Sequence, residues 1–334
     1  MQSRSRDRSP TVRRRSVLAS ASGAFLFGLA GCLDVAELGS SGGGGPLEEF
    51  VLAATVRDDP DDVGRDYAPL AEWIERQTDT PTRIDPVQDD GAAISALAVG
   101  HAHAAYLSGG PAWVGWQEHD LEAIVAEVDE DGRASYTAAA WVRAESDLEE
   151  LADLAGVDSC HTGDLTGAGM LIPTAALAHE GLVSFDDDDD VTAIRAAVET
   201  FFGDPVVGGG YVGALQCLSA GHGDVGFMRA STPTDYCGGT GPETWCLPMD
   251  EYELLAELAE VPSHPVMVGP DVSEGDRERL QAALLALNDD PEGQSILEEV
   301  LGVTGLEATT AQEHLGPYGE LIEVLPGIED HLVE

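Results

Sequence analysis

The sequence predicts an α/β protein of two lobes with a ligand cleft between them, on three observations. The chain has 334 residues, of which 43% are hydrophobic, enough for two cores. Short apolar segments alternate with helical patterns in two successive series. Two long apolar strands, at 136–142 and 261–268, separate the series and are positioned to act as hinges between the lobes.

The first series predicts the sheet of lobe 1. Leu70, Trp73 and Ile74 recur at helical spacing and predict an amphipathic helix over 65–78, behind an apolar strand at 50–57. Further strands are predicted at 83–87, 102–107 and 123–128, with helices at 92–99 and 111–118. Because strand–helix alternation is typical of parallel sheets covered by helices, we expect a parallel sheet.

The second series predicts lobe 2. It contains helices near 148–154, 169–179 and 212–220 and strands at 157–160, 206–207 and 224–228. The remainder after 268 is predicted helical, with Ser273 as the N-cap of a helix over 274–287. We expect lobe 1 to comprise 49–135 and 266–334, and lobe 2 to comprise 136–265 with the hinge strands. Ligands of open α/β sheets bind beyond the carboxyl ends of the strands, which here face the cleft.

The charge is strongly negative. There are 62 Asp and Glu against 16 basic residues, all of them Arg, for a formal net charge of −46. From residue 32 onward ten arginines face 61 carboxylates, a net of −51. Such a surface repels phosphate backbones and excludes a nucleic-acid partner. Molar salt relieves the self-repulsion, so the acidity indicates a halophilic protein and carries no metal or catalytic signal.

The N-terminal 48 residues predict export and a lipid anchor. An Arg-rich start, the Arg14–Arg15 pair and an apolar run over 17–30 resemble a twin-arginine signal over 1–31. The run is too short to span a hydrocarbon core of about 30 Å. Leu-Ala-Gly-Cys at 29–32 resembles a lipobox with Cys32 as the lipidated residue, and the Gly/Ser-rich segment 32–48 is typical of a flexible tether. We expect a domain anchored to the outer face of the cytoplasmic membrane.

Four cysteines remain after Cys32: Cys160, Cys217, Cys237 and Cys246. An even number in an oxidising compartment predicts two disulfides, and three pairings are possible. Cys237 and Cys246 are nine positions apart around a Gly-rich turn, which favours a local pair, and the other two would then close a long loop. Zinc binding is disfavoured because no C-x-x-C pair is present.

The segment 160–169 is the strongest candidate for a binding loop. A strand ends, a Gly-rich loop turns and a helix begins, which presents backbone N–H groups, with Thr162 and Thr166 adding hydroxyls. Such a loop suits an oxyanion. The alternative is a helix start that is merely N-capped.

Three segments of the chain resemble the transferrins. Cys-His-Thr-Gly at 160–163, followed six residues later by Ile172-Pro173, resembles their anion-binding loop. The segment 210–227, with Tyr211 and Cys217, resembles the segment that carries a tyrosine ligand and a half-cystine. The segment 261–264 resembles the one that carries the histidine ligand, and Tyr136 falls where the family has its other tyrosine ligand. The three occur in the family's order over about 50–330, the length of one transferrin lobe.

This resemblance implies a ligand and a set of contacts. Tyr136, Tyr211 and His264 would bind ferric iron, with a carbonate-like synergistic anion held by Thr162, Thr166 and the N–H groups of Ala168 and Gly169. Phenolate and imidazole suit a hard trivalent ion. A Cys160–Cys217 disulfide would tie the anion loop to the Tyr211 helix.

The chain departs from the transferrin pattern at two positions. Ser108 stands where the family has an aspartate ligand, and Thr166 where it has an anion-binding arginine. The absence of the aspartate and the arginine predicts weaker iron binding, or a site used for another ligand. Arg229, just after a predicted strand, is a candidate for the positive charge.

The general layout resembles the phosphate/phosphonate-type ABC substrate-binding proteins of the same superfamily, which have the periplasmic-binding-protein type II (Venus flytrap) fold. The segments 105–111 and 264–271 carry this second resemblance. It implies a haloarchaeal-type lipoprotein that delivers a small ligand to an ABC importer permease. The main hypothesis is a transferrin-like iron receptor, and the alternative is an oxyanion receptor without metal.

Two other classes of function, an enzyme and a purely structural surface protein, are disfavoured. The chain lacks G-x-S-x-G, H-E-x-x-H and a P-loop lysine, so an enzyme is not expected. A purely structural surface protein would leave the Gly-rich loop at a hinged cleft unexplained. Without the resemblance, the two tyrosines are ordinary packing residues and His264 an ordinary turn residue.

Overall fold

The computed structural model describes residues 46–55, 66–129, 132–186, 188–239 and 243–333. The predicted export signal, the lipidation site Cys32 and all but the last three residues of the tether lie outside the described residues.

Within these described ranges, eleven strands form two sheets, one in each lobe. The strands are β1 (Phe50–Thr55), β2 (Thr82–Val87), β3 (Ala104–Tyr106), β4 (Glu122–Val128), β5 (Ser135–Arg143), β6 (Ser159–His161), β7 (Pro205–Val207), β8 (Val225–Arg229), β9 (Tyr252–Pro262), β10 (Pro265–Val268) and β11 (Gly305–Ala308). Lobe 1 contains the six-stranded sheet β11-β4-β10-β3-β1-β2, and lobe 2 contains the five-stranded sheet β7-β6-β8-β5-β9. The predicted residue boundaries of the lobes stay a prediction.

Helices pack on the sheets and between the lobes. They are α1 (Ala68–Thr78), α2 (Asp90–Ala98), α3 (Gly109–His119), α4 (Ile172–His179), α5 (Thr192–Phe201), α6 (Gly210–Ser219), α7 (Thr232–Cys237), α8 (Glu274–Leu285), α9 (Pro291–Ile296), α10 (Ala311–Ile322) and α11 (Ile328–Leu332). In the described ranges, no helix is both long and apolar enough to cross a bilayer.

Both sheets are mixed, so the expectation of a purely parallel sheet in lobe 1 was wrong. β1 pairs in parallel with β2 and β3, as strand–helix alternation predicts. β10 is inserted between β3 and β4 and runs antiparallel to both. Its direction is reversed because it enters lobe 1 directly from lobe 2, without a crossover helix.

The second hinge strand differs from the prediction. The segment 261–268 is two strands, because β9 ends at Pro262 and β10 begins at Pro265. Each proline lacks the N–H group that a strand would donate, so the ladder breaks at Ser263 and His264. The chain changes sheets at this break, beside the link from β4 to β5.

The two inter-lobe links are hydrogen-bonded to each other. The N–H of Ser263 donates to the carbonyl of Ala134 at 3.0 Å, and the N–H of Glu127 donates to the carbonyl of His264 at 3.1 Å. The Ser263 hydroxyl donates to the Glu127 carbonyl at 2.7 Å. The links therefore form one paired segment.

The predicted amphipathic helix is present as α1. Leu70, Trp73 and Ile74 are buried, and Trp73 Nε1 donates to the carbonyl of Ala283 at 2.8 Å. Burial of each such apolar side chain stabilises the fold by about 1.5–3 kcal/mol. The predicted Ser273 N-cap is also present, since its side chain accepts from the N–H of Asp276.

Some elements were not predicted. The helix expected near 148–154 is a single 3₁₀ turn, Leu151–Leu154. α5, α7, β11 and most of β9 were missed. β9 is a sheet-edge strand that carries three exposed glutamates, so its apolar alternation is weak.

Candidate ligand-binding site

The loop between β6 and α4 presents backbone N–H groups at the start of a helix. Thr166 is extended, and a π-helical turn, Gly167–Leu171, follows and leads into α4. The N–H groups of Met170 and Leu171 both donate to the Thr166 carbonyl, at 2.9 and 3.0 Å. The amides of Gly167, Ala168 and Gly169 come before these first helical bonds, so they are the donors that a helix start leaves for a ligand.

Two threonine hydroxyls lie beside these amides. Thr162 Oγ1 and Thr166 Oγ1 are 2.8 Å apart, and the Thr166 hydroxyl also donates to the Gly163 carbonyl at 3.1 Å. A Cβ on Gly169 would lie 1.9 Å from Thr162 Oγ1. The loop can therefore close around its hydroxyl pair only with glycine at 169.

His161 holds the loop from below. It is fully buried; its Nδ1 lies 2.7 Å from the Gly169 carbonyl oxygen and its Nε2 2.9 Å from the Ser159 hydroxyl. Its ring stacks on Phe227 with the ring centroids 5.3 Å apart. Burial lowers the pKa of His161, and the hydrogen bond to Gly169 opposes this only in part.

Both disulfides are present in the pairing that the resemblance and the local spacing favoured: Cys160–Cys217 and Cys237–Cys246. The first joins the base of the anion loop to α6. The N–H of Gly210, at the start of α6, also donates to the Thr162 carbonyl at 2.5 Å. The loop and the Tyr211 helix are therefore fixed to each other at two points.

Arg229 lies against both tyrosines that were predicted as iron ligands. Its Cζ is 4.0 Å from the ring centroid of Tyr136 and 5.1 Å from that of Tyr211. Its Nε donates to the Tyr211 hydroxyl at 3.1 Å. Both phenol side chains therefore contact the same arginine. The iron hypothesis requires both to contact a metal ion instead.

Arg229 differs from the other arginines in its pairing. Six others form ion pairs with carboxylates: Arg76, Arg83, Arg133, Arg143, Arg195 and Arg279. Arg277 donates to three backbone carbonyls. Among the described residues no carboxylate forms an ion pair with the half-buried Arg229, and Glu127 attracts its charge without direct contact.

Tyr136 connects Arg229 to the anion loop. A Cβ on Gly167 would lie 3.9 Å from the Tyr136 hydroxyl, so this phenol is next to the first amide of the helix start. Burial, followed by the nearby Tyr211 phenol, raises the pKa of Tyr136. A neutral phenol at this place can donate a hydrogen bond to an anion.

His264, the third predicted iron ligand, has other partners. Its Nδ1 is 3.3 Å from a carboxylate oxygen of Glu127 and 3.5 Å from the Tyr106 hydroxyl, and Tyr106 also hydrogen-bonds to Glu127. Burial raises the pKa of the Glu127 carboxyl, but the bonds from His264 and Tyr106 outweigh it and lower that pKa. The pair of Tyr106 and Glu127 was not predicted from the sequence. Tyr106 lies in the segment 105–111, which resembles the phosphate/phosphonate-type proteins, but no sequence motif contains Glu127.

Ser108 lies in lobe 1, at the start of α3. Its N–H donates to a carboxylate oxygen of Asp90 at 3.2 Å. The sequence indicated no carboxylate at this place, but the fold brings one from α2. Asp90 is 18 positions earlier, so the spacing of the resembling segment could not indicate it.

The fold and the site together define a class: a two-lobed α/β protein whose lobe 2 carries a Gly-rich loop at a helix start. The chain belongs to the family described as the phosphonate ABC transporter periplasmic substrate-binding protein, whose model matches residues 52–314. The two-lobed periplasmic-binding-protein fold predicted from the sequence is confirmed. Members of this family are periplasmic substrate-binding components of phosphonate ABC transporters.

Individual relatives come from both groups that the sequence resembles. The phosphate-import protein PhnD of Mycolicibacterium smegmatis is 26% identical over 223 residues, which cover 65% of this chain and 66% of PhnD. A transferrin of Blaberus discoidalis is 25% identical over 289 residues, 67% of this chain and 37% of the transferrin. The chain spans about a third of the length of the transferrins it matches.

Solved structures support the fold. The Xanthomonas citri protein XAC2383, solved with chloride and with ATP, superimposes with a TM-score of 0.60 in the chloride form, at 18% identity over 85% of this chain and 100% of that one. The binding-protein component of a Pseudomonas aeruginosa phosphonate transporter gives a TM-score of 0.50 at 15% identity over 82% of this chain and 85% of that one. At these identities the likeness concerns the fold alone.

Proposed function

We propose that the cleft binds a small oxyanion of the phosphate/phosphonate class without a metal ion. The observation that carries this proposal is the half-buried Arg229 guanidinium, which has no carboxylate partner among the described residues. Burial of a charge without a directly paired carboxylate is costly, and an anion that arrives as a ligand would offset this cost. Glu127 also attracts the Arg229 charge, but it forms no ion pair with it.

The donors around Arg229 suit such an anion. Arg229 is bonded through Nε to Tyr211, while no described residue hydrogen-bonds to its Nη1 or Nη2, and these two can approach an oxyanion as a fork. The hydroxyls of Thr162 and Thr166 and the amides of Ala168 and Gly169 supply neutral donors from the loop. The Tyr136 phenol lies between the loop and the arginine.

The same arrangement answers the electrostatic problem of an acidic receptor. At a net charge of −46 the chain repels anions in general. A fixed positive centre with several oriented donors offers a local attraction, and molar salt screens the distant carboxylates at a Debye length of about 3 Å. Family membership and the match to PhnD support the phosphate/phosphonate class.

The test is calorimetric titration of the purified protein with inorganic phosphate and with methylphosphonate in molar NaCl. Arg229→Gln should weaken binding about 10- to 100-fold, since a charge-assisted hydrogen bond contributes about 1.5–3 kcal/mol. Arg76→Gln is the matched control, because Arg76 is exposed and paired with Glu292. Equal affinities of wild type and Arg229→Gln would contradict the proposal.

The second candidate is ferric iron, which the transferrin resemblance implies. It is favoured by the two phenols of Tyr136 and Tyr211, which lie together beside the anion loop. It would require Arg229 to leave both rings and His264 to leave Glu127. Titration with ferric iron and bicarbonate should then give a tyrosinate-to-iron absorption band that is lost in Tyr136→Phe and in Tyr211→Phe.

The membrane attachment also belongs to this proposal. We infer that Cys32 carries the lipid and that the Gly/Ser-rich segment after it tethers the receptor near its importer permease. Cys32→Ser should release the protein into the medium of a cell culture that exports it. Retention of Cys32→Ser in the membrane fraction would contradict the anchor.

A further inference from the structure

Three side chains from three different strands or links come together at the hinge of lobe 1. Tyr106 ends β3, Glu127 lies in β4, and His264 lies in the break between β9 and β10. The His264 Nδ1 is 3.3 Å from Glu127 Oε1 and 3.5 Å from the Tyr106 hydroxyl, and Tyr106 also contacts the other carboxylate oxygen. The oxyanion function proposed above uses none of the three.

The distances from His264 Nδ1 to the Glu127 and Tyr106 oxygens match the separation of ligands in a metal coordination sphere, and bonds to the ion would replace the hydrogen bond between Tyr106 and Glu127. Ligands bound tetrahedrally at about 2.0–2.1 Å from zinc are about 3.4 Å apart. Phenol oxygen, carboxylate oxygen and imidazole nitrogen are donors that first-row transition metals accept. No three His, Cys, Asp or Glu side chains cluster as a metal site in the described part of the chain, so a site here depends on tyrosine as the third donor.

The backbone around the cluster is already fixed. The N–H of Glu127 donates to the His264 carbonyl at 3.1 Å, which holds the two residues side by side. The Ser263 hydroxyl donates to the Glu127 carbonyl at 2.7 Å, and His314 Nε2 lies 3.0 Å from the Ser263 carbonyl oxygen. Such supporting contacts orient ligands before a metal arrives.

The cluster also remains accessible. The His264 side chain is 47% exposed and that of Glu127 is 21% exposed. Three protein donors with one side open to solvent correspond to a zinc site that keeps a position for water or an exogenous ligand.

We propose that Tyr106, Glu127 and His264 bind a divalent first-row transition-metal ion. The ion would join β3 and β4 of lobe 1 to the link from lobe 2, and so it would fix the paired inter-lobe segment. This site uses donors other than those of the Arg229 oxyanion site, although Glu127 attracts the Arg229 charge, and it uses His264 with partners other than Tyr136 and Tyr211.

Titration of the purified protein with Zn²⁺, in molar NaCl and phosphate-free buffer, tests the proposal. We expect one equivalent to bind more tightly than the weak background of surface carboxylates. His264→Ala and Glu127→Gln should each lower the affinity at least about tenfold, comparable to or greater than the loss when a supporting contact is removed. Tyr106→Phe should also weaken binding, and with Co²⁺ it should change the visible absorption spectrum that reports the coordination.

Matched controls separate this site from general effects. His222→Ala removes an exposed histidine and Tyr236→Phe changes an exposed tyrosine, and both should bind Zn²⁺ like the wild type. Thermal melting identifies any variant that fails to fold. If His264→Ala fails to fold, the Zn²⁺ affinities of the conservative variants Glu127→Gln and Tyr106→Phe test the site. Wild-type affinity for Zn²⁺ in folded His264→Ala or Glu127→Gln would overturn the proposal. Arg229→Gln should bind Zn²⁺ at least as tightly as the wild type, because it removes a positive charge near Glu127. Loss of phosphate binding in this variant with Zn²⁺ binding retained would separate the two proposals.

Discussion

The Arg229 guanidinium lies 4.0 Å from the ring centroid of Tyr136 and donates through Nε to the Tyr211 hydroxyl. This contact suggests a different role for the two tyrosines. In the sequence they resemble the metal ligands of the transferrins, but in the fold both contact the Arg229 guanidinium, beside the amides of the anion loop. A cation held over an aromatic ring gains about 0.5–2 kcal/mol, so the rings also stabilise the arginine without a carboxylate.

The planar fork of Arg229 predicts that lysine is an inadequate replacement. Arg229→Lys keeps the charge but cannot offer two parallel N–H groups or the same stacking on Tyr136. We expect the affinity for phosphate to fall about tenfold, less than in Arg229→Gln. Calorimetric titration of both variants with phosphate measures their affinities. An affinity of Arg229→Lys equal to that of the wild type would contradict the prediction and show that a positive charge alone suffices.

Gly169→Ala should abolish the geometry of the anion loop. Its Cβ would lie 1.9 Å from Thr162 Oγ1 and 2.8 Å from the Thr162 amide nitrogen, so the loop must open. We expect a lower melting temperature and loss of phosphate binding. Gly275→Ala is the control, because nothing lies within 4 Å of its Cβ in helix α8, and it should be neutral or stabilising by up to about 1 kcal/mol.

The two disulfides should differ in both stability and function. Cys160–Cys217 closes a loop of 57 positions and Cys237–Cys246 one of nine. Chain entropy predicts contributions of about 4 and about 2.6 kcal/mol. Denaturant unfolding of Cys160→Ser/Cys217→Ser and Cys237→Ser/Cys246→Ser measures these values. Phosphate affinity should fall only in the first pair, which ties the anion loop to α6; an equal loss in both would contradict this role.

Acid should destabilise the protein partly through His161. Because burial lowers the pKa of His161 in the fold, the unfolded chain binds a proton more readily below the ordinary value of about 6.5. The contribution of the neutral imidazole is therefore present above that pH and is lost as the pH falls below it. The melting temperature should decrease more between pH 7 and 5 in the wild type than in His161→Gln. Equal decreases in the melting temperature of the wild type and of His161→Gln would show that His161 does not contribute to the acid sensitivity.

Low salt should destabilise the fold, because the formal net charge is −46 and the surface carboxylates repel one another. Between 0.1 M and 1 M salt the Debye length falls from about 10 Å to about 3 Å. The melting temperature should rise with NaCl over this range. A melting temperature that does not depend on salt would contradict the halophilic interpretation of the composition.

The sequence allowed the local features of the fold to be predicted. Strand–helix alternation, the α1 apolar face and the Ser273 N-cap depend on neighbours a few residues apart, and each is present. The anion loop was also visible locally, because Gly169 and the two threonines are close in sequence. The local Cys237–Cys246 pair followed from its short spacing.

The features that were missed depend on distant residues. His264 meets Tyr106 across 158 positions, and the Asp90 carboxylate reaches Ser108 across 18. Arg229 was identified as a candidate charge, but its contacts with both tyrosines follow from the pairing of β8 with β5 and the placement of α6. The break between Pro262 and Pro265 was overlooked because the apolar pattern continues through it.

The most direct test of the central claim is a crystal structure of the protein grown with phosphate in molar salt. We predict phosphate oxygens within hydrogen-bond distance of Arg229 Nη1 or Nη2 and of the hydroxyls of Thr162 and Thr166, with no metal between Tyr136 and Tyr211. Phosphate bound away from Arg229, or a metal ion held by the two tyrosines with the arginine displaced, would contradict it.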